Sequence, residues 1–233
     1  ILFPTSVPVQ GRYLSAARDY IEDLEANGGT VMAPALAAAL SLPPQDGLLR
    51  QVVFITDGSV GNEPELLQDI AEKLDQARLF TIGIGSAPNS WFMRKAAEIG
   101  RGSHTHIGQL DEVEQRMTAL WSRIRHPALS DICIDFGVDA EYYPEVIPDL
   151  YAGDPLWVTA RMPLLPRDIL LCGEFEGLPW EHRVQPFSSD GAEDLATLWA
   201  RRKIEALEDS ILFGAEPDRI REQVTDAALR YGL

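Results

Sequence analysis

The sequence predicts an α/β fold: a doubly wound, mostly parallel sheet, then an antiparallel β unit and a C-terminal helical hairpin. Three observations carry this. Val52-Val53-Phe54-Ile55 is a short apolar run, three of its four residues β-branched, and it ends in Thr56-Asp57-Gly58. Such a run suits a strand buried on both faces of a helix-flanked sheet. A helical stripe (Leu66, Leu67, Ile70, Ala71, Leu74) then leads into a second apolar run, Leu79 to Ile84, which makes a βαβ unit with parallel strands. Beyond Pro127 the apolar period changes, first to alternation and then back to helical spacing.

In chain order, Leu14, Ala17, Ile21 and Leu24 recur at helical spacing, and the pattern stops at Asn27-Gly28-Gly29. Thr30 sits in the following loop, and Pro34 to Leu42 reads as a short Ala-rich helix ended by Pro43-Pro44. After the βαβ unit come a helix from Ser90 to Ile99 closed by Gly100, a strand from Ser103 to Ile107, and a long amphipathic helix from Leu110 that ends near Pro127. Ile132, Ile134 and Phe136 alternate with polar residues and Cys133, the pattern of a strand with one wet face. Leu156 to Ala160 and Ile169 to Cys172 supply two more strands. From Ala192 two helical stripes follow, separated by Gly214 to Pro217. The expected divisions are 1–127, a doubly wound unit; 128–188, an antiparallel β region; and 189–233, a helical hairpin.

The chain has 233 residues, 45% of them hydrophobic, enough for a substantial core. With 20 basic and 36 acidic residues its net charge is −16, which makes nucleic acid and anionic membrane surfaces poor partners. No apolar run reaches the roughly 18 residues of a membrane span, and nothing reads as a signal peptide. The chain begins Ile1-Leu2-Phe3 without an initiating Met and reads as a piece of something longer. Cys133 and Cys172 are read as buried thiols, with a disulfide the open alternative, since the sequence cannot show whether their β-carbons meet.

Little of the chemistry in the sequence groups into a site. His104 and His106 share one strand face, but no third ligand stands at supporting spacing. Gly83-Ile84-Gly85 follows a strand, yet Pro88 stands where the last glycine of a dinucleotide fingerprint belongs. Gly58-Ser59-Val60-Gly61 lacks the residue between Gly and Ser of a nucleophile elbow, and no serine has an evident base, so no enzyme is expected. Trp121, Trp157, Trp180 and Trp199 fall in amphipathic stretches and are expected in the core. There remain Thr30 and Asp57, each in a loop at the same expected edge of the sheet. A hydroxyl and a carboxylate are hard oxygen ligands of the kind Mg²⁺ takes, with retained waters and an open position.

Gly28-Gly29-Thr30-Val31-Met32 followed by Phe54-Ile55-Thr56-Asp57-Gly58 resembles the second and third parts of the metal-ion-dependent adhesion site of von Willebrand factor type A (vWA, Rossmann-like) domains. Leu2-Phe3-Pro4, Ile147-Pro148-Asp149-Leu150-Tyr151-Ala152-Gly153 and Leu198-Trp199-Ala200-Arg201 are similar, more narrowly, to inter-alpha-trypsin inhibitor heavy chain-like (VIT/vWA) proteins. The resemblance implies a module that binds a carboxylate of a protein partner through Mg²⁺, with Ca²⁺ or Mn²⁺ as alternatives. Thr30 and Asp57 would be metal ligands, and Gly29, Gly58 and Ser59 their loop neighbours. It also implies an extracytoplasmic setting: secreted, periplasmic or cell surface. The family's Asp-x-Ser-x-Ser loop does not occur here and would precede Ile1, so the chain resembles an N-terminally truncated domain that binds metal weakly or not at all. The strand holding Phe54 would then expose an apolar edge open to self-association. The alternative expectation is a structural, scaffolding module whose metal site is incomplete and non-functional.

Overall fold

The computed structural model describes residues 1–25, 31–43, 45, 47–58, 61–85, 89–187 and 193–233. It is a mixed α/β structure that divides into two compact units, Ile1–His106 and Ile107–Leu233.

The first unit contains helices α1 (Gly11–Glu22) and α2 (Met32–Leu40), strand β1 (Gln51–Thr56), α3 (Glu63–Lys73), β2 (Arg78–Ile84), α4 (Ser90–Ile99) and β3 (Arg101–Ile107). The sheet order is β1-β2-β3, and β1 runs parallel to β2 with Thr56 beside Gly83. The core lies along β2 and the helices against it: Leu67, Ile70, Leu79, Phe80, Ile82, Phe92 and Met93 are all fully buried. Two glycines permit the close packing of β2. A β-carbon on Gly100 would stand 2.4 Å from the β-carbon of Leu79, and one on Gly102 would stand 2.2 Å from the Leu79 carbonyl oxygen.

The burial expected of the Val52–Ile55 run belongs to β2 instead. β1 is an edge strand among the described residues and is only partly covered, with Ile55 52% exposed. The apolar stripe of α1 is likewise open, since Leu14, Ile21 and Leu24 are exposed.

The second unit opens with a 3-10 turn at Leu110–Glu112 and helix α5 (Val113–Ile124). Strands β4 (Leu129–Asp135), β5 (Glu141–Tyr143), β6 (Thr159–Arg161), β7 (Ile169–Phe175) and β8 (Leu178–Val184) follow, then helices α6 (Glu193–Leu212) and α7 (Pro217–Tyr231). The antiparallel region is two sheets: β4-β7-β8, and a small β5-β6 pair. Leu129, Ile132 and Ile147 form one core cluster, joined by Leu150 and Trp180 among others. Tyr143, Trp199 and Ala200 form another, between β5 and the helical pair. The Ile147–Gly153 stretch has a structural part here, since Leu150 bridges to Leu129 through two backbone hydrogen bonds of 3.0 and 2.9 Å.

Three expectations change. Cys133 and Cys172 are not thiols: they are opposite one another on β4 and β7 and form a disulfide. Leu156 to Ala160 yields only the start of β6, at Thr159 and Ala160, while β8 is a strand the sequence reading did not foresee. Of the four tryptophans assigned to the core, Trp199 is buried, Trp180 is partly so, and Trp121 and Trp157 are exposed.

Candidate functional site

The carboxyl ends of β1 and β2 reach the same edge of the sheet, with Thr56 beside Gly83, so Asp57 leaves it level with Ile84, the last residue of β2. That edge is where open α/β sheets place ligands. Asp57 is exposed, and its carboxylate has no hydrogen-bond or ion-pair partner among the described residues. The buried Thr56 hydroxyl just before it accepts a 3.2 Å hydrogen bond from the Gly58 N–H, which holds the first turn of the loop.

Two helices begin at this edge. Asn62 adopts a left-handed conformation before α3, and its amide donates to Glu65. Asn89 caps α4 by accepting from the Phe92 N–H at 3.0 Å, while its amide donates to Glu63. The Asn89–Glu63 bond ties the starts of α3 and α4 together.

Of the five residues singled out from sequence, Asp57 and Gly58 therefore stand at the expected edge; Thr30, Gly29 and Ser59 lie outside the described residues. Among the described residues no three His, Cys, Asp or Glu side chains group so as to hold a metal ion. A free, exposed carboxylate at this edge nevertheless suits a hard cation that keeps most of its waters, and the donor chemistry at Asp57 fits Mg²⁺.

His104 has a different role from that of a ligand. The Thr81 hydroxyl donates to the Met93 carbonyl at 2.8 Å, so it accepts from His104 Nδ1 at 3.0 Å. That leaves His104 Nε2 buried and without a hydrogen-bond partner. Burial pushes the His104 pKa below its ordinary value, a hydrogen bond to Thr81 partly offsets this, and the nearby His106 and Arg94 push it down further.

In the second unit, sequence reading missed a polar and aromatic hub on Glu141. Its carboxylate accepts from Lys203 Nζ at 2.6 Å, the Tyr143 hydroxyl at 2.9 Å and Arg161 at 3.0 Å, and its backbone carbonyl accepts from Trp199 Nε1 at 2.9 Å. Burial alone would raise the Glu141 pKa, but the Lys203 and Tyr143 hydrogen bonds and the Lys203 and Arg161 charges bring it below the usual carboxylate range. Arg161 and Lys203 also lie over the Trp199 ring, 4.7 and 5.3 Å from its centre. These groups sit on β5, β6 and α6, far apart in sequence, and only the Leu198-Trp199-Ala200-Arg201 motif pointed to the place. A cleft of about 330 Å³ lies between α5 and the Ala152–Asp154 turn, where Arg123 pairs with Asp154 at 2.9 Å.

Comparison with known proteins bears on the first unit. Residues 1–105 match the family model of the von Willebrand factor type A domain. A von Willebrand factor A domain-containing protein of Dictyostelium discoideum is 30% identical over 138 residues, which cover 59% of this chain and 15% of that protein. Von Willebrand factor A domain-containing protein 5B1 of Mus musculus is 27% identical over 124 residues, which cover 53% of this chain and 10% of that protein. The chain thus spans a small part of these curated relatives. Among solved structures, a von Willebrand factor type A protein from Catenulispora acidiphila covers 99% of this chain and 68% of its own, with a TM-score of 0.56 at 16% identity, which shows a shared fold. The first unit is therefore similar to vWA domains over the matched residues.

Proposed function

We propose that the first unit is a metal-dependent adhesion module, binding an acidic residue of a protein partner through Mg²⁺ at the edge that carries Asp57. The observation that carries this is the free Asp57 carboxylate at the shared carboxyl end of β1 and β2, the edge at which α3 and α4 begin tied by the Asn89–Glu63 bond. Asp57 would hold the ion directly or through a water, with Thr30 as a second oxygen ligand. The ion would supply a positive, open coordination position for the partner's carboxylate. The net charge of −16 argues against nucleic acid as that partner. No described helix is long and apolar enough to cross a membrane.

We assign the parent to the inter-alpha-trypsin inhibitor heavy chain-like proteins on the motifs quoted above, and to an extracytoplasmic setting. The Cys133–Cys172 disulfide supports that setting, because disulfides persist where the surroundings are oxidising. A structural module without metal is the competing reading, favoured because no three His, Cys, Asp or Glu side chains among the described residues group so as to hold a metal ion.

The test is Mg²⁺ titration by calorimetry of the parent protein and of its Asp57→Ala and Ser103→Ala variants. Asp57→Ala should weaken Mg²⁺ at least about tenfold, the loss common even for groups that only support a metal ligand. Ser103→Ala, inside β3, should leave it unchanged. Equal Mg²⁺ affinity in parent and Asp57→Ala would leave the structural module.

A further inference from the structure

β8 is an outer strand of the β4-β7-β8 sheet, and six of its seven residues are exposed; only Trp180 is partly buried. Its free edge has a defined hydrogen-bonding phase. β7 and β8 are joined by the two-residue turn Glu176-Gly177, both with positive φ (52° and 76°), so Phe175 and Leu178 close the hairpin as a hydrogen-bonded pair. Counting from that pair, Leu178, Trp180, His182 and Val184 bond inward to β7. The N–H and C=O groups of Glu181 and Arg183, and the C=O of Pro179, point out from the sheet edge.

Proline and charge on an edge strand ordinarily keep it from pairing. In β8, however, the two charges are opposite in sign and two residues apart, and neither has an ion-pair partner among the described residues. That makes the edge complementary to itself in one antiparallel register, the one centred on His182. There Glu181 of each copy meets Arg183 of the other, and the two exchange both backbone hydrogen bonds. Gln185 N–H of each copy meets the Pro179 carbonyl, and the Gln185 carbonyl, which faces the proline at the end of the ladder, is left to water. Trp180 lies opposite Val184 on the apolar face, which covers the partly exposed Val184. Neighbouring registers fail. Centring on Glu181 opposes Glu to Glu; centring on Arg183 opposes Arg to Arg.

We propose that two copies of this chain pair through β8, antiparallel and two-fold symmetric about His182, joining two three-stranded sheets into one of six strands. The surface is isologous, the commonest closed arrangement of identical chains.

Sedimentation equilibrium of this chain tests it, with Arg183→Glu, Glu181→Arg and the double swap, each checked by circular dichroism for an unchanged fold. A dimer is expected. Each single reversal should raise its dissociation constant roughly tenfold or more, since two attractive cross-strand pairs become repulsive, and the double swap should restore it. Ile55→Lys, on the other open edge at β1, should have no effect. As an independent reading, His182→Cys should form a disulfide-linked dimer on mild oxidation and Arg183→Cys should not, because residue 182 alone faces its own copy. The proposal is overturned by a monomer at every concentration, which would leave the edge to a different chain. It is overturned equally by single reversals without effect, by a double swap that fails to restore pairing, or by loss of the dimer in Ile55→Lys.

Discussion

His104 joins a hydrogen-bond chain, Thr81 to the Met93 carbonyl and His104 to Thr81, that fixes its proton on Nδ1 and leaves Nε2, an acceptor in the neutral ring, buried without a hydrogen-bond partner. Protonation would put an N–H⁺ in that position, with Arg94 and His106 near enough to oppose it. Because the folded-state pKa is depressed, the unfolded chain binds the proton first as pH falls. The stabilising contribution of neutral His104 is therefore complete above the ordinary value of 6.5 and declines as pH drops through it, levelling off below the lowered folded value. Denaturant midpoints measured from pH 8 to 5 should fall more steeply for the parent chain than for His104→Asn, which can still donate to Thr81 but does not titrate. Parallel pH profiles would show that the buried ring is indifferent to its charge. At this scale the sequence placed Asp57 because a carboxylate ending an apolar run is a local signal. The partners of His104 and Glu141 are set by packing, which no local pattern encodes.

Among the elements, the cross-strand disulfide is the firmest tie of the second unit, joining β4 to β7 where Cys133 and Cys172 stand opposite one another. It closes a loop with a sequence separation of 39 residues. A closure of that length should contribute about 3–4 kcal/mol through the entropy of the unfolded chain. The double variant Cys133→Ser, Cys172→Ser should lower the unfolding free energy by an amount of that order, and a loss below about 1 kcal/mol would show that the β4-β7-β8 sheet holds its register without the bond. Most helices were legible because their apolar spacing is long and periodic: α4 occupies the expected Ser90–Ile99 span. β8 was not legible, because Leu-Pro-Trp-Glu-His-Arg-Val contains a proline and a run of three polar residues, and only pairing to β7 through a tight turn makes it a strand. Trp157 was misplaced for a related reason, since an apolar stretch reads as core whether or not an element arrives to cover it.

At the scale of the molecule, each compact unit has a core of its own. The first is centred on β2 with α3 and α4; the second has the Leu129–Ile132–Ile147 cluster, the Tyr143–Trp199–Ala200 cluster and the disulfide. Units with separate cores generally unfold separately, and one two-state transition is then not expected. Denaturant unfolding of the chain should show two transitions. Reduction of the disulfide should move only the one that also abolishes the near-ultraviolet signal of the Trp199 cluster, where Tyr143 and Tyr231 pack against the indole at 5.9 and 5.5 Å between ring centres. Residues 107–233 expressed alone should reproduce that transition at the same midpoint, since Glu141, Arg161, Lys203 and Trp199 all lie within them. A single transition at which every probe coincides, or an isolated 107–233 without cooperative unfolding, would show instead that the second unit owes its stability to the first.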